Sequence, residues 1–413
     1  MKYKSKNLKI LAVNCGSSSL KYEIISMPEE RVLVIGKAER VGVKTQTIGQ
    51  ITHTVLGDKR IIKMDLPDHA FAFAKGLELI KEDSKHNKEI SFDIFAHRYV
   101  HPGKFFTKTT LIDKSTFGKL KKTLQMAPLH NPISFKLIEF CMKNYRNIQQ
   151  AAVFDTAFHS SIPKEFYMYA LPNRLTKKYS LRKVGFHGIS HEYAVQESCR
   201  ALARDPKTQK IICCHLSPGG SSICAVQYGE SINNSMGFTP LEGLIMNTRS
   251  GDLDLGAVFY IMFKENMSAE EAETILNKKS GLLGLYHSSS DLKDIMNNMD
   301  KDHKAKKSFD MYIRKVKKYV GFYQILLKKA DIIVFTDSIG MDEPFIREKV
   351  CEGFEFLGVK IDKQKNNAYH KGTVDISDEH SEARIVVVPI QEELMISRAA
   401  YEEWIKNDNN SRI

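Results

Sequence analysis

Apolar positions along this chain fall into short blocks that switch between two periods. Runs such as "KILAV" near the start and "RIVVVPI" near the end have the length of single buried strands. Between runs of this kind lie stretches with helical spacing. "MSAEEAETILNKKSG" opens with a Ser268 to Glu271 capping box and closes at Gly281, and "EELMISRAAYEEWI" predicts a terminal helix. Strand-like and helical blocks alternate throughout, which predicts an α/β protein. One plan occurs twice, about half a chain apart. "KILAVNCGSSSLKYEII" and "IICCHLSPGGSSICAVQYG" each read as an apolar strand ending at a polar residue, Asn14 or His215, then a Gly/Ser turn and a second strand. Taken singly, each is an ordinary tight turn; together they suggest a duplicated domain with a phosphate site between the copies.

Composition narrows the class. The chain has 413 residues, 42% apolar and 27% charged, enough for two globular domains. No apolar run approaches the roughly 18 residues of a membrane span, and the segment behind the N-terminal lysines is too short for a signal-peptide core. The net charge of +12 is spread along the chain or lies on the polar side of helices such as "KSFDMYIRKVKKYVGFYQILLKK". That distribution favours a protein handling small anions, with no nucleic acid and no membrane as partner. Seven cysteines without a CxxC pair argue against a disulfide framework or zinc finger, and place the expected home in the cytoplasm.

Candidate chemistry sits where periodicity fails. "SMGFTPLEGLIMNTRSGDLDLG" is broken too often for a helix or strand, and Arg249 is its single cation. Arg98 follows an apolar strand in "FAHRYVHPGKFF". Each arginine alone is as well read as a surface ion pair, but two at loop mouths can clamp an anion bidentately. Asp155 ends a strand in "AAVFDTAFHSSIP", the place where open α/β sheets carry ligand groups. In "VGFHGISHEYAV", His187 precedes a helix expected to be capped by Ser190, and His191 lies at its start, so H-x-x-x-H zinc binding is not expected. Glu392 and Glu393 open the last helix, where the helix dipole alone explains them, or one helps hold Mg2+ through water. The chain has no GxxxxGK[ST], strand-linked GxGxxG or G-x-S-x-G element.

These motifs, from "NCGSSSLK" through "HRYVH", "APLHNP", "FDTAFH", "GFHGISH", "SMGFTPLEGL" and "TRSGD" to "EELMISR", resemble the acetate kinase family across nearly the whole length. The resemblance implies two domains of duplicated ribonuclease-H-like, actin-like topology with a cleft between them. The expected domains are 1–154 plus 394–413, and 155–393. It also implies a homodimer and direct phosphoryl transfer involving acetate and acetyl phosphate. By motif position, Arg98 and Arg249 would hold the carboxylate and the phosphoryl group, and His187 would stabilise its oxygens. Asn14, Asp155 and Glu392 would serve Mg2+ or Mn2+. Asn14, Ser17, Ser19, Lys21 and Gly219 would support phosphate, with His130 and His215 nearby, and Val100, Leu129, Phe186 and Pro240 would take the methyl group.

Departures from the family pattern cluster. "HLSPG" stands where "HLGNG" is usual, so Ser217 replaces a glycine and Pro218 an asparagine; proline removes a backbone donor. "SIGMD" stands for "GIGEN", placing Ser338, Met341 and Asp342 in the adenosine motif, while Asn247 and Pro102 each replace a glycine. The expectation is therefore a diphosphate-dependent enzyme interconverting acetyl phosphate and orthophosphate with acetate and pyrophosphate. The alternatives are an ATP/ADP-dependent acetate kinase, or a non-catalytic anion-binding or sensor protein of the same fold.

Overall fold

A computed structural model describes residues 6–43, 48–128, 130–369 and 371–410. It divides into two compact units, Met1–Ala157 with Gln391–Ile413, and Phe158–Ile390. These divisions lie a few residues from the boundaries expected above, for physical reasons. The amide of Asp155 continues the sheet ladder by bonding the carbonyl of Tyr99 at 3.1 Å, and the terminal helix Glu392–Asn410 packs along the first unit's central strands as one piece. Asp155, Glu392 and Glu393 thus belong to the first unit.

The first unit is built on an eight-stranded sheet of β1 (Leu8–Cys15), β2 (Ser19–Met27), β3 (Arg31–Glu39), β4 (Gly49–Val55), β5 (Asp58–Met64), β6 (Ile94–Tyr99), β7 (Thr110–Leu111) and β8 (Gln149–Phe154). Its order is β5-β4-β3-β2-β1-β6-β8-β7, with β1, β6 and β8 parallel and the meander from β1 to β5 antiparallel. β1 is covered on both faces, which explains its continuous apolar run. On one face Leu11 and Val13 join Phe73, Leu77 and Ile80 of the helix His69–His86 and Leu137 of the helix Asn131–Asn144. The terminal helix packs against β1 and β2 as well.

The second unit carries a six-stranded sheet of β9 (Lys210–His215), β10 (Ser222–Gln227), β11 (Glu230–Asn234), β12 (Ile332–Thr336), β13 (Val374–Asp375) and β14 (Arg384–Val388), ordered β11-β10-β9-β12-β14-β13. Here β9, β12 and β14 are parallel. The long helix His303–Leu326 supplies Phe309, Tyr312, Val316, Val320 and Tyr323 to a core shared with Ile212, Ile223, Phe335 and Val387. The helix Gly188–Ala201 packs against β9, β12 and β14.

Aligning β3-β2-β1-β6-β8 with β11-β10-β9-β12-β14 superimposes the two plans strand for strand. The two Gly/Ser hairpins of the sequence are the turns β1–β2 and β9–β10, so the internal repeat is a duplicated topology. Asn14, Arg98 and Asp155 in the first unit and His215 in the second stand at the carboxyl ends of parallel strands, the place where open α/β sheets carry ligand groups. Among the described residues, no helix is long and apolar enough to cross a membrane.

Candidate active site

In the first unit a polar knot forms around Arg98. Asn14, next to last in β1, donates through Nδ2 to Oε2 of Glu392 at 2.7 Å and Oε1 of Glu393 at 3.0 Å, and accepts from Nη1 of Arg98 at 3.0 Å. Arg98 also meets Asp155 Oδ2 at 3.2 Å and Glu392 Oε2 at 3.3 Å. Burial opposes the guanidinium charge, but Asp155 and Glu392 outweigh it and hold its pKa above the ordinary arginine value. Both glutamates open the terminal helix, where the dipole favours carboxylates. Lys21, opposite Asn14 across the β1–β2 ladder, reaches Glu393 at 3.8 Å. Burial, then the Glu393 carboxylate, raise the pKa of Glu23 to about 7 against the opposing charge of Lys21. The sequence reading did not include Glu23; a lone glutamate in an alternating strand gives no signal.

The turn between these strands is tight: the amide of Gly16 bonds the carbonyl of Ser19 at 2.9 Å, and a Cβ on Gly16 would strike Oγ of Ser19 at 2.7 Å. Ser17 lies exposed at its tip. Val100 and Pro102 are buried just past β6, and His130 is the half-buried residue preceding the helix Asn131–Asn144. Leu129 lies outside the described residues.

For a divalent cation, Asp155 and Glu392 offer hard carboxylate oxygens suited to Mg2+; one oxygen of each, like the amide oxygen of Asn14, meets Arg98. Among the described residues no three His, Cys, Asp or Glu side chains are grouped so as to hold a metal by themselves. That pattern suits a cation bound through one or two carboxylates, waters and substrate phosphate oxygens.

In the second unit four histidines gather at the ends of β9 and β10. His187 has a left-handed backbone, φ +58, and is itself the residue that caps the helix Gly188–Ala201. Ser190 is therefore inside the helix, a correction to the expected cap; its fully buried hydroxyl bonds Nδ1 of His215 at 2.9 Å instead. Ser222, the first residue of β10, meets Nδ1 of His187 at 2.9 Å and Nε2 of His191 at 2.8 Å. His191 is engaged as a buried structural imidazole; burial first, then His159 and His215, lower its pKa. The rings of His187 and His215 lie 4.2 Å apart between centroids. His215 also meets Oδ2 of Asp337 at 3.1 Å through Nε2.

Arg249 is half-buried, and among the described residues it forms no ion pair, in contrast to Arg98. Burial alone lowers its pKa. The turn after β9 comes close to it: a Cβ on Gly220 would stand 3.2 Å from Nε2 of His187 and 3.6 Å from Nη1 of Arg249. His187, Arg249 and the backbone of this turn thus converge on one place. An unpaired guanidinium beside an imidazole and a glycine turn is an arrangement that binds and stabilises an anion.

The loop carrying Arg249 is irregular, as its sequence predicts, and is pinned at several points. Asp252 accepts from the amide of Gly243 at 2.8 Å and from Tyr319 and Lys318 of the long helix. Glu242 is held by Lys183 at 2.8 Å and Tyr169 at 2.9 Å, and Gly281, at φ +63, lets the backbone pass close beneath Arg249. Phe186 is buried and its carbonyl accepts from His159, whereas Pro240 is partly exposed.

The altered positions are also placed. The carbonyl of Pro218 accepts from the amide of Asn247 at 3.2 Å, tying the turn to the Arg249 loop, and Ser217 and Ser221 bond each other around the turn. A Cβ on Gly219 would meet nothing within 4 Å. Ser338 lies half-buried behind Asp337, Asp342 is exposed, and Met341 packs against the hydrophobic core. Buried Arg347, absent from the sequence reading, fixes this segment by donating to the carbonyls of Gly340 at 2.9 Å and Met341 at 2.6 Å.

A duplicated α/β fold of actin-like type, bearing basic and acidic groups at its strand ends, is an arrangement suited to phosphoryl transfer. The chain belongs to the Acetokinase family, whose model matches residues 9–398. An acetate kinase from Thermoanaerobacterium thermosaccharolyticum is 43% identical over 395 residues, covering 95% of this chain and 98% of the relative. The solved acetate kinase of Porphyromonas gingivalis is 36% identical, with a TM-score of 0.87 over 96% of this chain and 100% of that one. A propionate kinase from Francisella tularensis follows at 35% and 0.85, covering 95% and 98%, and the acetate kinase of Entamoeba histolytica at 34% and 0.84, covering 95% and 99%.

Proposed function

We propose that this chain transfers a phosphoryl group between acetyl phosphate and orthophosphate, giving acetate and pyrophosphate, and the reverse. The bond from phosphorus to the acyl oxygen breaks as a bond from phosphorus to an orthophosphate oxygen forms, so no protein nucleophile is required. The observation that carries the reading is a contrast. The groups suited to the transfer, Arg98, Asp155 and Glu392 in one unit and His187 with Arg249 in the other, keep ordered positions. Most departures from the family pattern, Ser217, Pro218, Ser338, Met341 and Asp342, fall instead on the turn after β9 and the segment after β12, with Pro218 lacking an amide donor and Ser338 adding a side chain; Asn247, in the Arg249 loop, and Pro102, past β6, lie outside them.

In this reading Arg249 and His187 bear the charge that develops on the phosphoryl oxygens, which a loose transition state requires more than covalent help. Arg98 orients the carboxylate, and the family resemblance assigns the methyl group to apolar side chains of each unit, Val100 in the first and Phe186 and Pro240 in the second. Asp155 and Glu392 would hold Mg2+ or Mn2+, which supplies charge neutralisation to the phosphates when bound. The functional form is a homodimer. The helix Leu255–Lys264 supports this, because Leu255, Phe259, Tyr260 and Phe263 are 69%, 65%, 63% and 83% exposed and ask for a second copy to cover them. Sedimentation of the full chain at micromolar concentration tests the assembly, and a purely monomeric species refutes it.

The deciding assay measures turnover of acetyl phosphate with orthophosphate and, separately, with ADP, at matched Mg2+. Faster turnover with orthophosphate is expected. Faster turnover with ADP assigns an ATP/ADP-dependent acetate kinase, and no turnover with either leaves a binding protein of the same fold.

A further inference from the structure

We propose that Asp337 is a positioning residue for phosphoryl transfer, acting through His215 on His187. The proposal rests on the reading that His187 faces the migrating phosphoryl group, and is independent of which phosphate compound is the donor. Asp337 directly follows β12 and has φ +62, a left-handed conformation that costs a non-glycine residue energy. Two contacts hold it there. Its Oδ1 accepts from the amide of Ser338, and its Oδ2 lies 3.1 Å from Nε2 of His215.

His215 is the last residue of β9 and is paired in register with Thr336, so the ladder brings the residue after β12 beside its ring. The amide of Leu216 bonds the carbonyl of Thr336 at 3.0 Å, and the amides of Ile339 and Gly340 return to the carbonyl of Leu216. The two strand ends are thereby closed onto each other, and Asp337 has little room to swing away.

The consequence for His215 follows from its two ring nitrogens. A carboxylate only accepts, so Nε2 must carry the proton and donate to Asp337, while Nδ1 faces the hydroxyl of Ser190 at 2.9 Å. The order hydroxyl, imidazole, carboxylate is that of a nucleophilic triad, but Ser190 is fully buried within a helix and cannot reach a substrate. The chain of bonds instead fixes the plane of His215. That ring lies 4.2 Å from the ring of His187 at an interplanar angle of 32° and forms its support, and His187 is oriented from the other side by Ser222. Asp337 thus sets the place of His187 without touching substrate, much as the outer partners of metal-bound histidines do.

The test uses two variants that both suit the left-handed backbone. Asp337→Gly removes the carboxylate and relieves the strained φ, and the histidine tautomer, read directly, separates loss of the carboxylate from the freedom glycine adds to the backbone. Asp337→Asn keeps an acceptor oxygen and tolerates the same conformation. In the full chain, long-range proton–nitrogen NMR of labelled histidines reads the tautomer of His215 directly. Turnover is measured with acetyl phosphate and whichever acceptor the wild type prefers. Asp337→Gly is expected to mix the His215 tautomers and lower kcat about tenfold, within the range known for outer-partner changes, with KM for acetyl phosphate within about twofold. Asp337→Asn is expected to restore both readouts. An unchanged tautomer in Asp337→Gly, or a kcat within twofold of wild type, overturns the proposal. Because the spectrum is independent of the donor, a wrong donor assignment leaves that result standing.

Discussion

Alanine at Gly220 tests the convergence of the second unit's groups with a single added carbon. The new Cβ would stand 3.2 Å from Nε2 and 3.3 Å from Cε1 of His187. Non-bonded heavy atoms prefer about 3.5–4.0 Å, so the imidazole must yield by roughly 0.4 Å. It has little freedom to do so, being bonded to Ser222, packed 4.2 Å from the ring of His215 and placed on a left-handed backbone. Misplacing a reacting group by 1 Å costs about 10²-fold in rate, so a displacement of this size should lower kcat roughly fivefold. Gly220 has no left-handed φ, and its turn lies at the surface of the sheet, so the melting temperature should change little. The companion is Gly118→Ala, in the helix Lys114–Lys121 and outside the site, whose Cβ would also meet nothing within 4 Å. Steady-state kcat and KM for acetyl phosphate, with thermal melts of both variants, complete the measurement. The reasoning fails if Gly118→Ala loses as much kcat as Gly220→Ala, or if Gly220→Ala is unimpaired.

Arg249→Lys keeps the charge but loses the planar fork, and is expected to reduce kcat by about 10³-fold with retained melting temperature, since among the described residues the guanidinium forms no ion pair. Single-turnover quench kinetics check this, and a loss below tenfold argues against a transferring role. Glu23 gives a pH-dependent prediction for stability. Its folded pKa, about 7, lies above the ordinary carboxyl value of 4.5, so between these values the unfolded chain ionises first and the native state is penalised. Stability contributed by protonated Glu23 is complete below pH 4.5 and lost as the pH rises through about 7. Glu23→Gln should therefore melt above wild type at pH 8 and level with it near pH 4.5; equal melting temperatures at both pH values would contradict the raised value.

How much of this was legible depended on the range of each interaction. The Ser268 to Glu271 capping box is local, and both of its bonds form as the spacing predicts. Gly281, taken for a helix stop, instead begins the next helix Gly281–Tyr286 at positive φ, because the close approach of the Arg249 loop decides its conformation. Ser190 was assigned to a cap by its residue type and its place before a helical run, yet the left-handed His187 takes that position and frees the serine for His215. Asp337 follows the apolar strand "IIVFT" much as Asp155 follows "AAVF", a signal that was present but hidden among the altered residues around it. Met341 stood out in the sequence as a foreign residue near a nucleotide motif, and its packing into the core is a matter of which way the segment turns.

The sequence by itself determined the alternation of strands and helices, the two related hairpins and the strand ends at which Asn14, Arg98, Asp155 and His215 stand. These follow from periodicity and turn chemistry, which act over a few residues. Tertiary structure alone decided that Arg98 is neutralised by Asp155 and Glu392, while Arg249 stands beside His187 and Gly220 with no ion pair among the described residues. Those pairings join residues up to 294 positions apart, and only the closure of parallel strands and the docking of the terminal helix bring them within bonding distance.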